Sequence, residues 1–209
     1  MCTLPQSNPL MGESAIACLS LSLGAVAASL RLFGAERIVY WREASTGIST
    51  TAYFVGKCLS HVPALILPPA LFTFVYQWML VPRASGWECF LLFFSIYFTA
   101  AGWGYLSSIA LPPAQAQICA VLSVLVMMMF SGQTPRQADL YAVPAIGPAL
   151  NLFTYASYLR WGEEIFVVQE MEQFLTAAGG AYSSEQLAPA LQMYCYSFDG
   201  TAKVTIYFQ

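Results

Sequence analysis

The densest group of charged side chains in this sequence lies in ERIVYWREASTG, residues 36–47. It contains two acid–base pairs, Glu36–Arg37 and Arg42–Glu43, although only 9% of the whole chain is charged. The spacing of the acidic residues fits one face of a short helix that ends near the glycine at the close of the segment. Charges of both signs, with aromatic residues between them, predict a helix that docks onto another protein surface. A plain solvated loop is the alternative interpretation.

Few other residues have types and spacing that suit chemistry. His61 is the only histidine, and it lies near the start of an apolar segment, so we interpret it as a packed or interfacial residue and not as a proton relay. The six cysteines include no CxxC pair, which leaves no basis for a zinc site or a disulfide framework. The sequence also lacks the GxSxG and HExxH patterns of hydrolases and metalloproteases. We therefore predict no catalytic residue, no metal site and no cofactor bound by this chain itself.

The composition predicts that helices in a membrane position these residues. Of 209 residues, 58% are hydrophobic, and the charged fraction is about a third of the roughly 25% that is usual in soluble domains. No charged side chain occurs between Glu88 and Arg136, an interval long enough for two helices of about 20 residues. The net charge of −3 and the lack of a basic run argue against nucleic acid as a partner. We predict an all-α, polytopic integral membrane protein.

Apolar segments long enough to be full transmembrane helices number about four: 13–33, 58–81, 89–111 and 114–131. Three prolines in the second should kink it, and Pro112-Pro113 should separate the third from the fourth. A further apolar segment, 141–159, is interrupted by proline and glycine, which is typical of a re-entrant or interfacial element. The last residues, VTIYFQ, look like the first turns of a truncated span.

The basic residues predict the orientation of these spans. Four of the eight Lys and Arg residues flank one end of them, and the positive-inside rule places that end in the cytoplasm. They are Arg31, Arg37, Arg42 and Lys57. The chain, 1–209, then forms a single partial transmembrane domain, with a cytoplasmic segment at 34–57 and a re-entrant segment plus extracellular loop at 132–200. We predict a multi-pass protein of the plasma membrane or an endomembrane, in contact with membrane lipid.

Several motifs occur in an order that is similar to that of a known family. They are ERIVYWRE, AYFVGKCLSHVP, VMMMFSG and YASYLRWGEEIFVVQEMEQF, and together they cover most of residues 13–175. This series resembles the transmembrane domain of the G (White) subfamily of ATP-binding-cassette (ABC) transporters, and its residues are closest to plant-type half-transporters. The resemblance implies that the first predicted helix is the family's second span and that the fourth is its fifth.

The resemblance assigns a role to the charged segment. In the G subfamily the loop between the second and third spans reaches the nucleotide-binding domain and transmits its motion. On this chain it implies that Glu36, Arg37, Arg42 and Glu43 form the coupling contacts. From the residues alone we predict only a charged cytoplasmic docking helix.

The resemblance also implies a substrate path. Multidrug and sterol exporters of the subfamily line a central, two-fold cavity with residues of the second and fifth spans, which would place Leu125 and Met128 at that cavity. Two positions depart from the pattern of those exporters. Gly24 stands where they have a cavity-facing aromatic residue, and Gln133-Thr134 stand where they have a bulky apolar valve.

Together these implications define an expected function: the membrane-spanning part of an ATP-driven exporter of lipids, sterols or other apolar metabolites. ATP and magnesium would bind to the parent transporter, because this chain has no phosphate-binding loop and is expected to be a piece that lacks the nucleotide-binding domain. The expected partners are that domain and a second half-transporter, in a homodimer or heterodimer. One alternative is a membrane scaffold or assembly subunit without transport. The other, an intramembrane enzyme, is less favoured because residues 89–135 carry no charge.

Overall fold

The computed structural model describes residues 7–34, 37–47, 49–80, 82, 84–131 and 147–177. Within these ranges the chain forms seven α-helices and no strand, which confirms the predicted all-α class. The helices are α1 (Ser7–Gly34), α2 (Arg37–Ala44), α3 (Thr50–Leu80), α4 (Gly86–Ala110), α5 (Pro113–Met129), α6 (Gly147–Ala156) and α7 (Tyr158–Ala177).

Three of the described helices are long and apolar enough to cross a membrane: α1 over Gly12–Leu32, α3 over Thr50–Leu80 and α4 over Gly86–Ala110. The fourth predicted span corresponds to α5, which is apolar and has 17 residues. At the usual rise per residue α5 is about 26 Å long, slightly shorter than the roughly 30 Å hydrocarbon core of a bilayer. These helices confirm the prediction of a polytopic integral membrane protein.

The second spanning helix, α3, is longer than its apolar sequence. It begins at Thr50, ahead of the predicted start of the span, because a helix satisfies its own backbone hydrogen bonds among headgroups as well as in lipid. It continues through Pro63, Pro68 and Pro69 as one helix. Thr73 Oγ1 donates a hydrogen bond of 2.7 Å to the carbonyl oxygen of Pro69, within the same helix.

Prolines set the boundary between α4 and α5. α4 ends at Ala110, Pro112 is the N-cap of α5, and Pro113 is its first residue. Proline suits the first helical position because the N–H that it lacks would have no partner there. The predicted break at this pair is confirmed. Of the interrupted segment predicted at 141–159, the described part from residue 147 belongs to α6 and α7, which are separated at Ser157.

The helix α4 is central and packs against α1, α3, α5 and α7. It approaches α1 closely at Gly104, where a Cβ atom would lie 2.7 Å from Cβ of Ser29 and 3.2 Å from the backbone oxygen of Val26. One turn further along, the Ser108 hydroxyl donates a hydrogen bond of 2.9 Å to the carbonyl oxygen of Leu30. Small residues therefore let the backbones of α1 and α4 approach closely, as is common between membrane helices.

An aromatic cluster joins α3, α4 and α7. Phe93 of α4 is fully buried at its centre. The centroid of its ring lies 5.2 Å from that of Phe72, 5.4 Å from that of Tyr76 and 6.1 Å from that of Phe166. Both contacts with α3 are edge-to-face, an arrangement that places the positive ring edge against the negative ring face. This cluster fixes the second half of α3 against the rest of the bundle.

Candidate coupling helix and translocation surface

The charged segment forms α2, and one aromatic residue attaches it to the start of α3. The ring centroid of Tyr40 lies 4.8 Å from that of Tyr53, and the Tyr40 hydroxyl donates a hydrogen bond of 3.4 Å to Thr50 Oγ1. The turn after α2 contains Gly47 with φ of 95°, in the left-handed region that favours glycine. α2 is therefore a short helix that is held to α3 on one side, between two membrane-spanning helices.

The predicted coupling residues of α2 whose side chains are described are accessible. Arg42 and Glu43 are exposed, and so is Trp41 beside them. Arg37 is the first residue of α2, but its side chain and the whole of Glu36 lie outside the described residues. The side chains of Arg42 and Glu43 are thus both accessible. The coupling role of all four residues stays a prediction.

The two cavity candidates, Leu125 and Met128, lie on α5. Leu125 is 41% exposed and belongs to an open apolar stripe with Ile118, Leu122 and Met129, which recur at helical spacing. Met128 is half-buried and packs against the core of the bundle. Residues at positions i and i+3 lie on the same side of a helix, so both can contribute to one surface. Their contact with a substrate stays a prediction.

Of the two departures from the exporter pattern, Gly24 lies among the described residues and Gln133-Thr134 does not. Gly24 is exposed on α1, and a Cβ atom there would meet no other atom within 4 Å. The space around Gly24, which stands at the position of the exporters' aromatic residue, is therefore open in this chain.

The helix α7 has buried charged residues that are not among the predicted site residues. Four of its charged side chains are buried: Arg160, Glu163, Glu164 and Glu170. Glu163 is fully buried in the bundle, where α7 packs against α1 and α4. A signal was available in the sequence, because Glu163 and Glu170 share the helical face of the apolar residues Leu159 and Phe166. The face that buries apolar side chains therefore buries the acidic ones as well.

Glu170 connects α7 to the segment between α3 and α4. Its Oε1 accepts a hydrogen bond of 3.3 Å from the backbone N–H of Ala84. The carbonyl oxygen of Ala84 accepts one of 3.4 Å from Gln77 Nε2, so two side chains satisfy the backbone of this buried residue. On the same helix, the guanidinium carbon of Arg160 lies 4.8 Å from the centroid of the Tyr155 ring. The Glu170 contact therefore joins α7 to the segment between α3 and α4, and the Arg160 contact joins α7 to α6.

Within the described ranges, no three His, Cys, Asp or Glu residues are placed to hold a metal ion. The four charged residues of α7 named above are buried, whereas Arg42 and Glu43 of α2 are accessible. Accessible charges of both signs on one short helix suit a polar contact with another protein. The geometry therefore supports a docking role for α2 and an apolar surface on α5.

Comparison with known proteins decides the family. The family model described as ABC-2 type transporter matches residues 10–178. The chain belongs to this family. Its relatives confirm the similarity to plant G-family (white-brown complex) members and support a role in membrane transport.

This ABC-2 type chain is 32% identical over 157 residues to ABC transporter G family member 25 from Oryza sativa subsp. japonica. It is 25% identical over 156 residues to putative white-brown complex homolog protein 30 from Arabidopsis thaliana. Each of these alignments covers 75% of the chain but 14% of the relative, so the chain spans about a seventh of their length. It is also 28% identical over 136 residues to ABC-type transporter claG from Penicillium crustosum, covering 65% of the chain and 18% of that protein. No solved structure matches the chain.

Proposed function

We propose that this chain is the membrane-spanning part of an ATP-driven exporter of lipids, sterols or other apolar metabolites. ATP and magnesium bind to a nucleotide-binding domain of the parent transporter, and that domain presses on α2 when it closes. The spanning helices of two half-transporters then change from an inward-facing to an outward-facing arrangement. Such switching transports a substrate only if the substrate binds the two arrangements with different affinity.

The observation that carries this proposal is the placement of α2. It connects α1 to α3, is held to α3 through Tyr40 and Tyr53, and leaves Arg42 and Glu43 exposed. A force on the exposed charges would therefore reach α3 through the aromatic contact. This is what a coupling element requires: one surface for the ATPase and another that is attached to the spanning helices.

The double substitution Arg42→Ala with Glu43→Ala is expected to uncouple ATP hydrolysis from transport. In the parent transporter we expect about a tenfold loss in substrate moved per ATP hydrolysed, within the range of a coupling free energy of roughly 1–3 kcal/mol. The ratio is measured in reconstituted vesicles, with flux and phosphate release followed in the same sample. Both side chains are exposed, so membrane insertion should be unchanged.

The matched control is Glu88→Ala, which also removes an exposed charge but lies at the first turn of α4, at the opposite end of the bundle from α2. It is expected to leave the ratio of flux to hydrolysis unchanged. An unchanged ratio in the α2 double variant would contradict the coupling role. Binding of the parent to its partners without any ATP-dependent flux would instead support the scaffold alternative.

The substrate surface is tested separately with Leu125→Trp. A large ring on the open stripe of α5 should narrow a cavity there and change the ratio of transport of a bulky to a small apolar substrate by about tenfold, because specificity pockets discriminate by size. Leu125 is a better position than Met128, since Met128 also packs against the core. Substrate competition assays in vesicles measure the ratio. Leu67→Trp, at an exposed leucine of α3, is the control, and equal ratios in the two variants would remove Leu125 from the cavity.

A further inference from the structure

One face of the first half of α3 is polar and only half-buried. Tyr53, Lys57 and His61 share this face because they lie at positions i, i+4 and i+8, and each of them is half-buried. The same face continues in the second half of the helix as Leu65 and Pro69, which are buried. N-terminal to Leu65, no residue of α3, which is described along its full length, is buried. We call Tyr53, Lys57 and His61 the open face of α3.

The contacts of the open face combine a positive charge with aromatic and hydroxyl groups. Lys57 Nζ lies 5.9 Å from the centroid of the Tyr53 ring, and that ring also packs against Tyr40 of α2. One turn further along, His61 Nδ1 and the Tyr105 hydroxyl of α4 form a hydrogen bond of 2.5 Å. The open face therefore has an ammonium group beside the Tyr53 ring, one helical turn from an imidazole–phenol pair.

The length of α3 allows the open face to lie at the edge of the hydrocarbon layer. α3 has 31 residues and is about 46 Å long, whereas the hydrocarbon core is roughly 30 Å thick. Lys57 is the only charged residue of this helix, and it avoids a cost of about 2.5–3.5 kcal/mol by remaining outside the hydrocarbon centre. His61 lies about 6 Å further along the helix towards the membrane interior. The distribution of basic residues predicts that this end of the bundle is cytoplasmic.

We propose that the open face of α3 binds one anionic phospholipid of the cytoplasmic leaflet. The phosphate and the acidic headgroup contact Lys57, and the ester oxygens lie at the level of the His61–Tyr105 pair. A zwitterionic lipid is disfavoured because its headgroup brings a second positive charge next to Lys57. Arg31 and Arg42, which are exposed at the same end, add to the attractive potential. This site is separate from the outer surface of α2 and does not depend on the proposed coupling.

The test compares two lipids by native mass spectrometry of the purified full chain. Detergent-solubilised protein is titrated with phosphatidylserine or with phosphatidylcholine of the same acyl chains, and the fraction carrying one lipid is measured. We expect the unmodified protein to bind phosphatidylserine about fivefold more tightly than phosphatidylcholine, which corresponds to about 1 kcal/mol for one lysine near anionic lipid. Lys57→Gln is expected to bring the ratio of the two affinities close to one. Lys57→Arg, which keeps the positive charge, is expected to retain most of the preference.

Controls separate a local site from general attraction. Arg42→Gln removes a positive charge at the same end of the bundle and should keep most of the preference. If it lowers the ratio as much as Lys57→Gln does, the preference belongs to the overall positive field and the proposal is wrong. An equal ratio in the unmodified protein and Lys57→Gln would also overturn it. Full displacement of phosphatidylserine by glycerophosphoserine at the same concentration would overturn the proposal as well, because the site would then bind a free anion and not a lipid. Tyr53→Phe, which keeps the ring beside Lys57, should retain the preference.

Discussion

Phe93→Ala is expected to lower the free energy of unfolding by about 3 kcal/mol, the low end of the range for removing a buried phenylalanine. The substitution takes out the fully buried ring at the centre of the cluster with Phe72, Tyr76 and Phe166. In a membrane the alternative surroundings of the ring are lipid tails and not water, so most of the loss comes from the cavity and the lost ring contacts. Because three helices share these contacts, α3 and α7 should both loosen from α4.

Unfolding of the purified protein with increasing SDS in mixed micelles, followed by helical circular dichroism, measures this change. Phe98→Ala is the matched control, since it removes the same side chain from the same helix at a position that is 57% exposed. Phe98→Ala should change the SDS concentration at the midpoint of unfolding only a little. Similar midpoints for the two variants would mean that the cluster does not hold the bundle together.

Gly104→Leu is expected to prevent α1 and α4 from packing at their present distance, at a cost of about 3 kcal/mol from overpacking. Even a Cβ atom at this position would lie 2.7 Å from Cβ of Ser29 and 3.2 Å from the carbonyl oxygen of Val26. A backbone atom cannot rotate away as a flexible side chain can, so the helices must separate. The hydrogen bond from Ser108 to the carbonyl of Leu30, one turn away, should be lost with them.

The control for this substitution is Gly102→Leu on the same helix. Gly102 is exposed, a Cβ atom there meets nothing within 4 Å, and leucine has a higher helix propensity than glycine. It should therefore leave the SDS midpoint unchanged or raise it slightly, whereas Gly104→Leu lowers it. A cysteine cross-linking assay between α1 and α4 gives a second measurement of the separation. Retained cross-linking in Gly104→Leu would contradict the close approach.

The helical fold could be predicted from the sequence because its signals are local. Hydropathy located α4 and α5 within three residues and the end of α1 within one, although α1 begins six residues ahead of the predicted start; the proline pair gave the boundary between α4 and α5. The start of α3 was placed too late, since a helix can extend past its apolar residues into the headgroups. Helix length in that layer depends on contacts such as Tyr40 with Tyr53, which join different elements. Those contacts are not encoded in hydropathy.

The functional surfaces were predictable only in part. The charges of α2 were identified because they stand out in a chain with so few of them. The burial of Glu163 and Glu170 was missed, because the face of α7 that packs against the bundle follows from tertiary contacts with α1 and α4. The open face of α3 was missed for the same reason. Lys57 was selected for its charge, but its place beside Tyr53 and above the His61–Tyr105 pair required the folded helices.

The three prolines of α3 have a mechanical consequence. Each lacks an N–H and so removes the backbone hydrogen bond to the carbonyl four residues earlier, which lowers the bending stiffness of the helix around residues 59–69. This flexible segment lies between the C-terminal half of α3, which the aromatic cluster holds against the bundle, and the N-terminal half, which carries the open face. A force applied at Tyr40 would therefore bend the N-terminal half of α3 relative to the C-terminal half. α3 can thus bend at its prolines, within the part of the helix that spans the membrane.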